Sequence, residues 1–337
     1  MIDGTRWHIA LQGRDGTVTI PDLLSATLDW DISRKVVSGG KLTCANPPGG
    51  LIGGRVLVAV TYGGQRIDWG RHVVTAVDEA HTGLGSTYTV EWMDESVRLD
   101  RMRLLSPLSI KATQQAVARV RARLADVGVV ASIRDSDRTL RAAMALTATE
   151  TRLDEITRLL AAAGMHPLWP SPSGLLSTLW PDPATVAPAV RLVEGEDSTH
   201  LPEYPVEADH MVPNRLLMTS QGDGQQVAMS AVARDISTSA WSYNARGDWL
   251  DAEPEESDAP SQPELQDDAN RRLRELQADA VTMTVKHLWT PALRPGCTVE
   301  VVAAREAVAG LWQATASSTG DVCKTGELAT TKLRRVG

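Results

Sequence analysis

The feature that most constrains this chain is a two-residue hydrophobic period broken by glycine. Arg55–Tyr62 reads RVLVAVTY, a run rich in β-branched residues, and Gly63-Gly64 then supplies the positive-φ positions of a two-residue hairpin turn before 65–69. Further strands are expected at 6–11, 17–20, 25–32, 71–78 and 87–93. In the last of these Tyr88, Val90 and Trp92 point one way and Thr89 and Glu91 the other. Many short strands separated by glycine-rich turns favour an antiparallel barrel or sandwich over the first hundred residues.

The period changes in the middle of the chain. From Thr113 the residues Ala116, Val117, Val120, Leu124 and Val127 fall at helical spacing, with Arg119, Arg121 and Arg123 largely on the other faces and Gly128 as the stop. A second helix is expected from Thr149 or Thr151 through Leu153, Ile156, Leu159 and Leu160 to Gly164. Strand-like sequence follows each helix, at 129–133 after the first and at 165–169 and 175–180 after the second. The stretch from about 105 to 200 is thus a small α+β unit. Strands return at 215–221 and 225–233 around Gly222-Asp223-Gly224, a helix is expected from Leu265 to about Ala278, and strands follow at 281–288, 297–303, 311–317 and 327–334.

With 337 residues, the chain is long enough for two to four domains. It contains no run of about 18 apolar residues, and its first residues lack a charged segment followed by an apolar one, so neither a membrane span nor a cleaved signal is expected. Ten Trp, four Tyr and no Phe mean that indoles supply nearly all the large aromatic packing. Cys44, Cys297 and Cys323 are odd in number and widely spaced, which fits free thiols better than a disulfide framework or a zinc site. The net charge of −8 is matched by one segment, 251–268, with eight acids and no base. That acidic, proline-containing segment is expected to be an exposed, mobile loop, and the balanced remainder offers no basic field for nucleic acid or a membrane surface.

No catalytic residue, cofactor ligand or metal ligand is assigned. The seven histidines form no HExxH and no Cys/His cluster of zinc spacing, and His72 and His81 are read as surface or hydrogen-bonded core residues. Glu194 to His200 contains acid, serine and histidine, but neighbours in sequence do not normally assemble a triad. Lys324-Thr325 has no glycine directly before the lysine, so it is not a phosphate loop. Asp78/Glu79 and Asp94/Glu95, read as strand residues, face opposite ways. Arg98, Arg101 and Arg103, with Arg119, Arg121 and Arg123, are read as a solvated face or an inter-subunit surface.

Three stretches together resemble the hub proteins of long-tailed bacteriophages. The first is 25–45 with Arg55–Tyr62, 65–69 and 87–101, where Asp94 and Asp100 stand at the place of a short acidic turn. The second is the helix–glycine–strand unit from Thr149 to Trp180. The third runs from the helix containing Asp268-Ala269-Asn270-Arg271-Arg272-Leu273 through 281–288 into Pro291-Ala292-Leu293-Arg294-Pro295-Gly296-Cys297-Thr298-Val299-Glu300-Val301. The resemblance implies a predominantly β, α+β chain: an N-terminal β-barrel tube domain at 1–105, a small α+β peripheral domain at 106–200, and a second β-rich tube domain at 201–337. It further implies a homotrimeric ring at the virion tail tip, with two pseudo-equivalent domains per subunit around strands 55–69 and 297–303, assembled in the bacterial host cytoplasm. Its implied partners are the tail tube, distal tail, tape measure and tail-tip or fibre proteins. Genomic DNA would pass transiently through the lumen without sequence-specific binding. No long extension follows Gly337, so a fused lytic domain or spike is not expected.

The competing expectation is a carbohydrate-binding or hydrolytic tail-tip protein with exposed tryptophans stacked on sugar rings. The absence of a suitably spaced acid pair weighs against its hydrolytic form.

Overall fold

The computed structural model describes residues 5–47, 49–82, 85–171, 175–180, 186–195, 198–220, 228–324 and 326–336. The first seven strands are β1 (Arg6–Gln12), β2 (Val18–Thr19), β3 (Asp22–Asp31), β4 (Ser38–Ala45), β5 (Arg55–Tyr62), β6 (Gln65–Thr82) and β7 (Gly85–Met93). Gly63 and Gly64, at φ 56° and 79°, close the Tyr62–Gln65 pair as the sequence predicts. The two strands expected at 65–69 and 71–78 are one, because Gly70 at φ 118° lets the strand continue through a register shift. Within β4, Gly40 is the seat of the Trp92 ring: a Cβ there would lie 2.5 Å from an indole carbon. Ile9, Leu11, Leu28, Leu42, Val56, Val58, Val90 and Trp92 form the core of this half.

The middle unit contains α1 (Val97–Asp100), β8 (Leu108–Ile110), α2 (Ala116–Val127), β9 (Ala131–Ser132), β10 (Met144–Leu146), α3 (Arg152–Ala162), β11 (Trp169–Pro170) and β12 (Leu176–Ser177). The first long helix starts three residues later than its apolar spacing suggests, since Thr113 takes φ 71° and cannot be helical. Gly128 at φ 66° ends it in the left-handed conformation expected of a glycine stop. The next helix opens on a capping box between Thr151 and Asp154. The apolar faces of α2 and α3 bury Val117, Val120, Leu124, Ile156, Leu159 and Leu160 in one cluster.

Next come β13 (Val190–Val193), β14 (Val206–Ala208), β15 (Arg215–Ser220), β16 (Met229–Arg234), α4 (Tyr243–Arg246), β17 (Glu255–Glu256) and α5 (Gln262–Ala278). The strands expected at 215–221 and 225–233 do pair, and the turn between them, with Gly222-Asp223-Gly224, lies outside the described residues. The acidic stretch is not the loop its composition suggests. Glu255 and Glu256 pair in parallel with β15, Ala259 is fully buried, and the helix begins at Gln262 with Pro263 in its first turn, where a missing N–H costs nothing. Its acids are neutralised from elsewhere: Arg215 pairs with Asp251, Arg272 with Glu255 at 2.9 Å and Arg138 with Asp268 at 3.5 Å. Leu265, Ala269 and Leu273 bury one face of α5 on the β15–β16 hairpin.

The chain finishes with β18 (Val281–Leu288), β19 (Thr298–Val302), β20 (Gly310–Ser318) and β21 (Leu328–Arg335). The 13-stranded sheet runs β14-β18-β21-β20-β3-β4-β7-β6-β5-β1-β2, with β19 branching from β20 and β13 pairing β19 in parallel. This path stays open at β14 and β2 and does not close into a single barrel. The branch is a division of labour along one edge of β20: its residues up to Gln313 pair β19, and Ala316, Ser317 and Ser318 pair Asp31, Trp30 and Asp29 of β3, while on the other edge the pairing with β21 shifts register between Ala314 and Ala316. Beyond the strand, Thr319 and Val322 continue along β3 by donating to the carbonyls of Leu28 and Ala26 at 2.8 Å each. A separate core, containing Trp30, Val285, Val299, Val301 and Trp312, underlies the C-terminal half.

Candidate functional site

Of the six arginines read from sequence as a solvated face or subunit surface, Arg101, Arg103 and Arg121 are exposed, while Arg98, Arg119 and Arg123 are spent inside the chain. Glu155, fully buried on α3, receives Arg119 at 2.9 Å, Arg123 at 3.1 Å and Arg152 at 2.8 Å. Burial alone would raise its carboxyl, but the bonds from the three guanidiniums outweigh it and hold the pKa below the usual range. Glu95 collects Arg55 at 2.8 Å, Arg98 at 3.5 Å and Arg71 at 3.7 Å. Arg98 also donates to the Val127 carbonyl at the end of α2. Asp94 and Glu95 are not strand residues: they stand in a turn, where buried Asp94 accepts from the amides of Ser38 at 2.9 Å and Ser96 at 2.8 Å. Asp100, the other acid read as part of a short acidic turn, ends helix α1 and pairs with Lys35 at 2.6 Å.

Ser198 and His200 do meet, with Oγ 2.8 Å from Nδ1, but the same hydroxyl donates to the His200 carbonyl at 2.8 Å. The proton a nucleophile would give up is therefore engaged in a local turn, and Glu196 and Asp197 lie outside the described residues. His72 is buried and held neutral, its pKa pushed down to about 4 by burial, whereas His81 is exposed beside Ser86. Among the described residues no three His, Cys, Asp or Glu side chains converge as a metal site. Cys44, Cys297 and Cys323 are free. All ten indoles are buried or half-buried, so none stands out as an exposed platform for a sugar.

What sequence reasoning missed is the seam between the two halves of the sheet. Trp7 on β1, Trp69 on β6 and Trp289 just after β18 form one cluster, with ring centres 4.5 to 6.2 Å apart. The Arg294 guanidinium covers Trp69 at 3.7 Å from the ring centre. Burial pulls its pKa down to about 10. Only the unusual tryptophan count and the Pro291–Gly296 stretch hinted at this region.

Two further surfaces bear on assembly. Among the described residues, β1 over 6–10 and β6 over 75–82 each have a strand neighbour on one side only. A cleft of about 1470 Å³ separates α3, α5 and the edge of the C-terminal strands. It exceeds the usual small-ligand range of roughly 300–1,000 Å³. Several cations in its wall are already paired: Lys35 with Asp154 at 2.8 Å, Arg158 with Glu150 at 3.0 Å and Arg272 with Glu255.

No protein-family model matches the sequence, and no curated protein matches it. Solved structures do. The tail protein from Neisseria meningitidis MC58 matches with a TM-score of 0.70 at 14% identity, over 98% of this chain and 97% of that one. The 43 kDa tail protein of prophage MuSo2 from Shewanella oneidensis matches with 0.67 at 12% identity, over 97% and 98%. The fold is that of prophage tail proteins. The E. coli c3393 protein is a component of the type VI secretion system described as similar to the T4 bacteriophage tail proteins gp27 and gp5. It matches with a TM-score of 0.57 at 10% identity, over 98% of this chain and 77% of that one.

Proposed function

We propose that the chain is a non-enzymatic structural component of a bacteriophage tail, a hub that forms a ring at the distal end of the tail tube. The observation that carries this reading is the end-to-end agreement with tail proteins, 98% of this chain on 97% of the Neisseria protein, at a TM-score of 0.70. In this reading 1–105 and 201–337 are the two barrel-like tube domains and 106–200 the peripheral domain. The ring is a homotrimer located at the virion tail tip. It joins the tail tube and tape measure proteins to the distal tail and tip or fibre proteins, and lets DNA through without sequence-specific contact.

The unpaired edges of β1 and β6 support association, because an open strand edge is a template that symmetric assembly can cover. The internal use of Arg98, Arg119 and Arg123 supports a lumen without a phosphate-binding wall. Light scattering on the purified chain should give three times the chain mass, and electron microscopy of tails should place it as a ring on the tube axis. A monomer on the tail exterior, or a lumen lined by Arg98, Arg101 and Arg103, overturns the reading.

A further inference from the structure

One edge of the large sheet is covered by an unusual strap. Residues 198–208 run along β18, and the edge is closed by backbone bonds: Leu288 donates to the Thr199 carbonyl at 2.7 Å, Leu201 to Lys286 at 2.8 Å and Thr284 to Pro205 at 3.1 Å. The apolar anchorage of the strap is one side chain, Tyr204, packed against the C-terminal core. From 201 to 210 every residue except Tyr204 is exposed, and the three residues of β14 are all exposed. Its fastening is His200, 5% exposed, which sits opposite the 1% exposed His287 of β18 as a cross-strand pair.

The hydrogen bonds around both rings are satisfied by neutral imidazole. Ser198 Oγ spends its proton on the His200 carbonyl, so His200 Nδ1–H donates to Ser198 and Nε2 accepts from the Tyr204 hydroxyl at 2.5 Å. On β18, His287 Nδ1–H donates to the Leu288 carbonyl at 2.8 Å. Its Nε2 accepts from Thr331 at 2.7 Å, and Thr331 lies 2.9 Å from Ser317 Oγ. A second proton on either ring turns its Nε2 from acceptor to donor against a hydroxyl that now donates to it, and protonation of both rings places two positive charges across one strand pair.

We propose that residues 198–208 are an acid-releasable strap, latched by the His200–His287 pair, whose opening bares the backbone edge of β18. Among the described residues, the groups facing the pair offer little to stabilise a doubly charged state. Glu194 is the carboxylate whose charge reaches His200, Tyr204 packs on it, and β20 and β21 present the Ser317 and Thr331 hydroxyls. Lys286, Glu203 and Glu207 are exposed. Burial lowers the pKa of both histidines, and His200 lowers that of His287 further. The closed strap therefore has full stability above the ordinary histidine value of about 6.5 and loses it as pH falls from there to the lowered pKa values.

The test is amide hydrogen exchange on the intact chain, corrected for intrinsic rate, with the His200 ring followed by NMR in the same samples. Protection of the Leu201, Thr284 and Leu288 amides should fall at least tenfold between pH 7.5 and pH 5, with a midpoint matching the His200 titration, while Lys41 and Leu42 of β4 stay protected. His200→Gln should shrink that pH dependence and the double variant His200→Gln/His287→Gln should remove it. Unchanged protection in the natural chain through the His200 titration overturns the proposal, as does a fall that survives undiminished in the double variant.

Discussion

The Arg294 guanidinium lies face-on to the Trp69 indole, 3.7 Å from the ring centre, although 225 residues separate the two in sequence. Their contact, with Trp7 and Trp289 around it, fastens the loop after β18 to the β1–β6 side of the sheet. A desolvated cation over an indole is worth about 2 kcal/mol. Arg294→Ala should lower unfolding stability by about that amount and shift the tryptophan emission of this cluster, as read by urea denaturation. Arg294→Lys should recover only part, since a compact ammonium does not stack.

Glu155→Gln tests the buried cluster on α3. Removing one partner of a buried ion pair typically costs about 3–5 kcal/mol, and here three guanidiniums lose their shared counter-charge. The half-buried arginines regain some water, so the lower end is expected. Because the Glu155 carboxyl is held below its ordinary value, its contribution is present above the usual glutamate range and disappears as pH falls through the lowered pKa. Calorimetry at pH 7 and pH 3 should find the gap between variant and natural chain narrowing at the acid end.

His72 has the opposite chemistry and the same sign. It is neutral in the fold with a pKa of about 4, while the unfolded ring binds a proton near 6.5, so stability declines as pH drops from about 6.5 to about 4. The interval corresponds to about 3 kcal/mol. His72→Gln should flatten the stability profile across that window, checked by chemical denaturation at half-unit pH steps.

Asn214 should control the loop that precedes β17. Fully buried, it donates from Nδ2 to the carbonyls of Trp241 at 3.1 Å and Asp248 at 3.0 Å, and its Oδ1 accepts from the Leu250 amide at 2.9 Å. Three bonds at about 1 kcal/mol each suggest that Asn214→Ala costs about 2–3 kcal/mol. Limited proteolysis should then nick the chain between 236 and 250 faster than it does the natural protein.

Where local chemistry decides, the sequence was readable. The Gly63-Gly64 turn, the stops at Gly128 and Gly164, the Thr151 cap and the closing strands all follow from backbone preferences within a few residues. β4 was not, because Gly39-Gly40 weakens its strand signal and acquires a purpose only when Trp92 lies over it. Composition misjudged 251–268 for a related reason. A count of acids cannot see Arg138 or Arg215, which come from other elements to neutralise them. The Trp7–Trp69–Trp289 seam and the three arginines on Glu155 are likewise spatial facts, invisible to spacing along the chain.

The split edge of β20 also sets a timetable for the growing chain. Asp31 leaves the ribosome about 280 residues before its partner Ala316 exists, which at about 5–20 residues per second is a wait on the order of 15–60 s. Throughout that interval the outer edge of β3 has no strand to cover it, and the nascent N-terminal half is open to pairing with its neighbours on the same messenger. Asp29 and Asp31 lie on that edge and share Arg34, which leaves one net negative charge where two waiting copies would have to meet. Synthesis speed through the second half of the chain thus sets how long that edge stays bare.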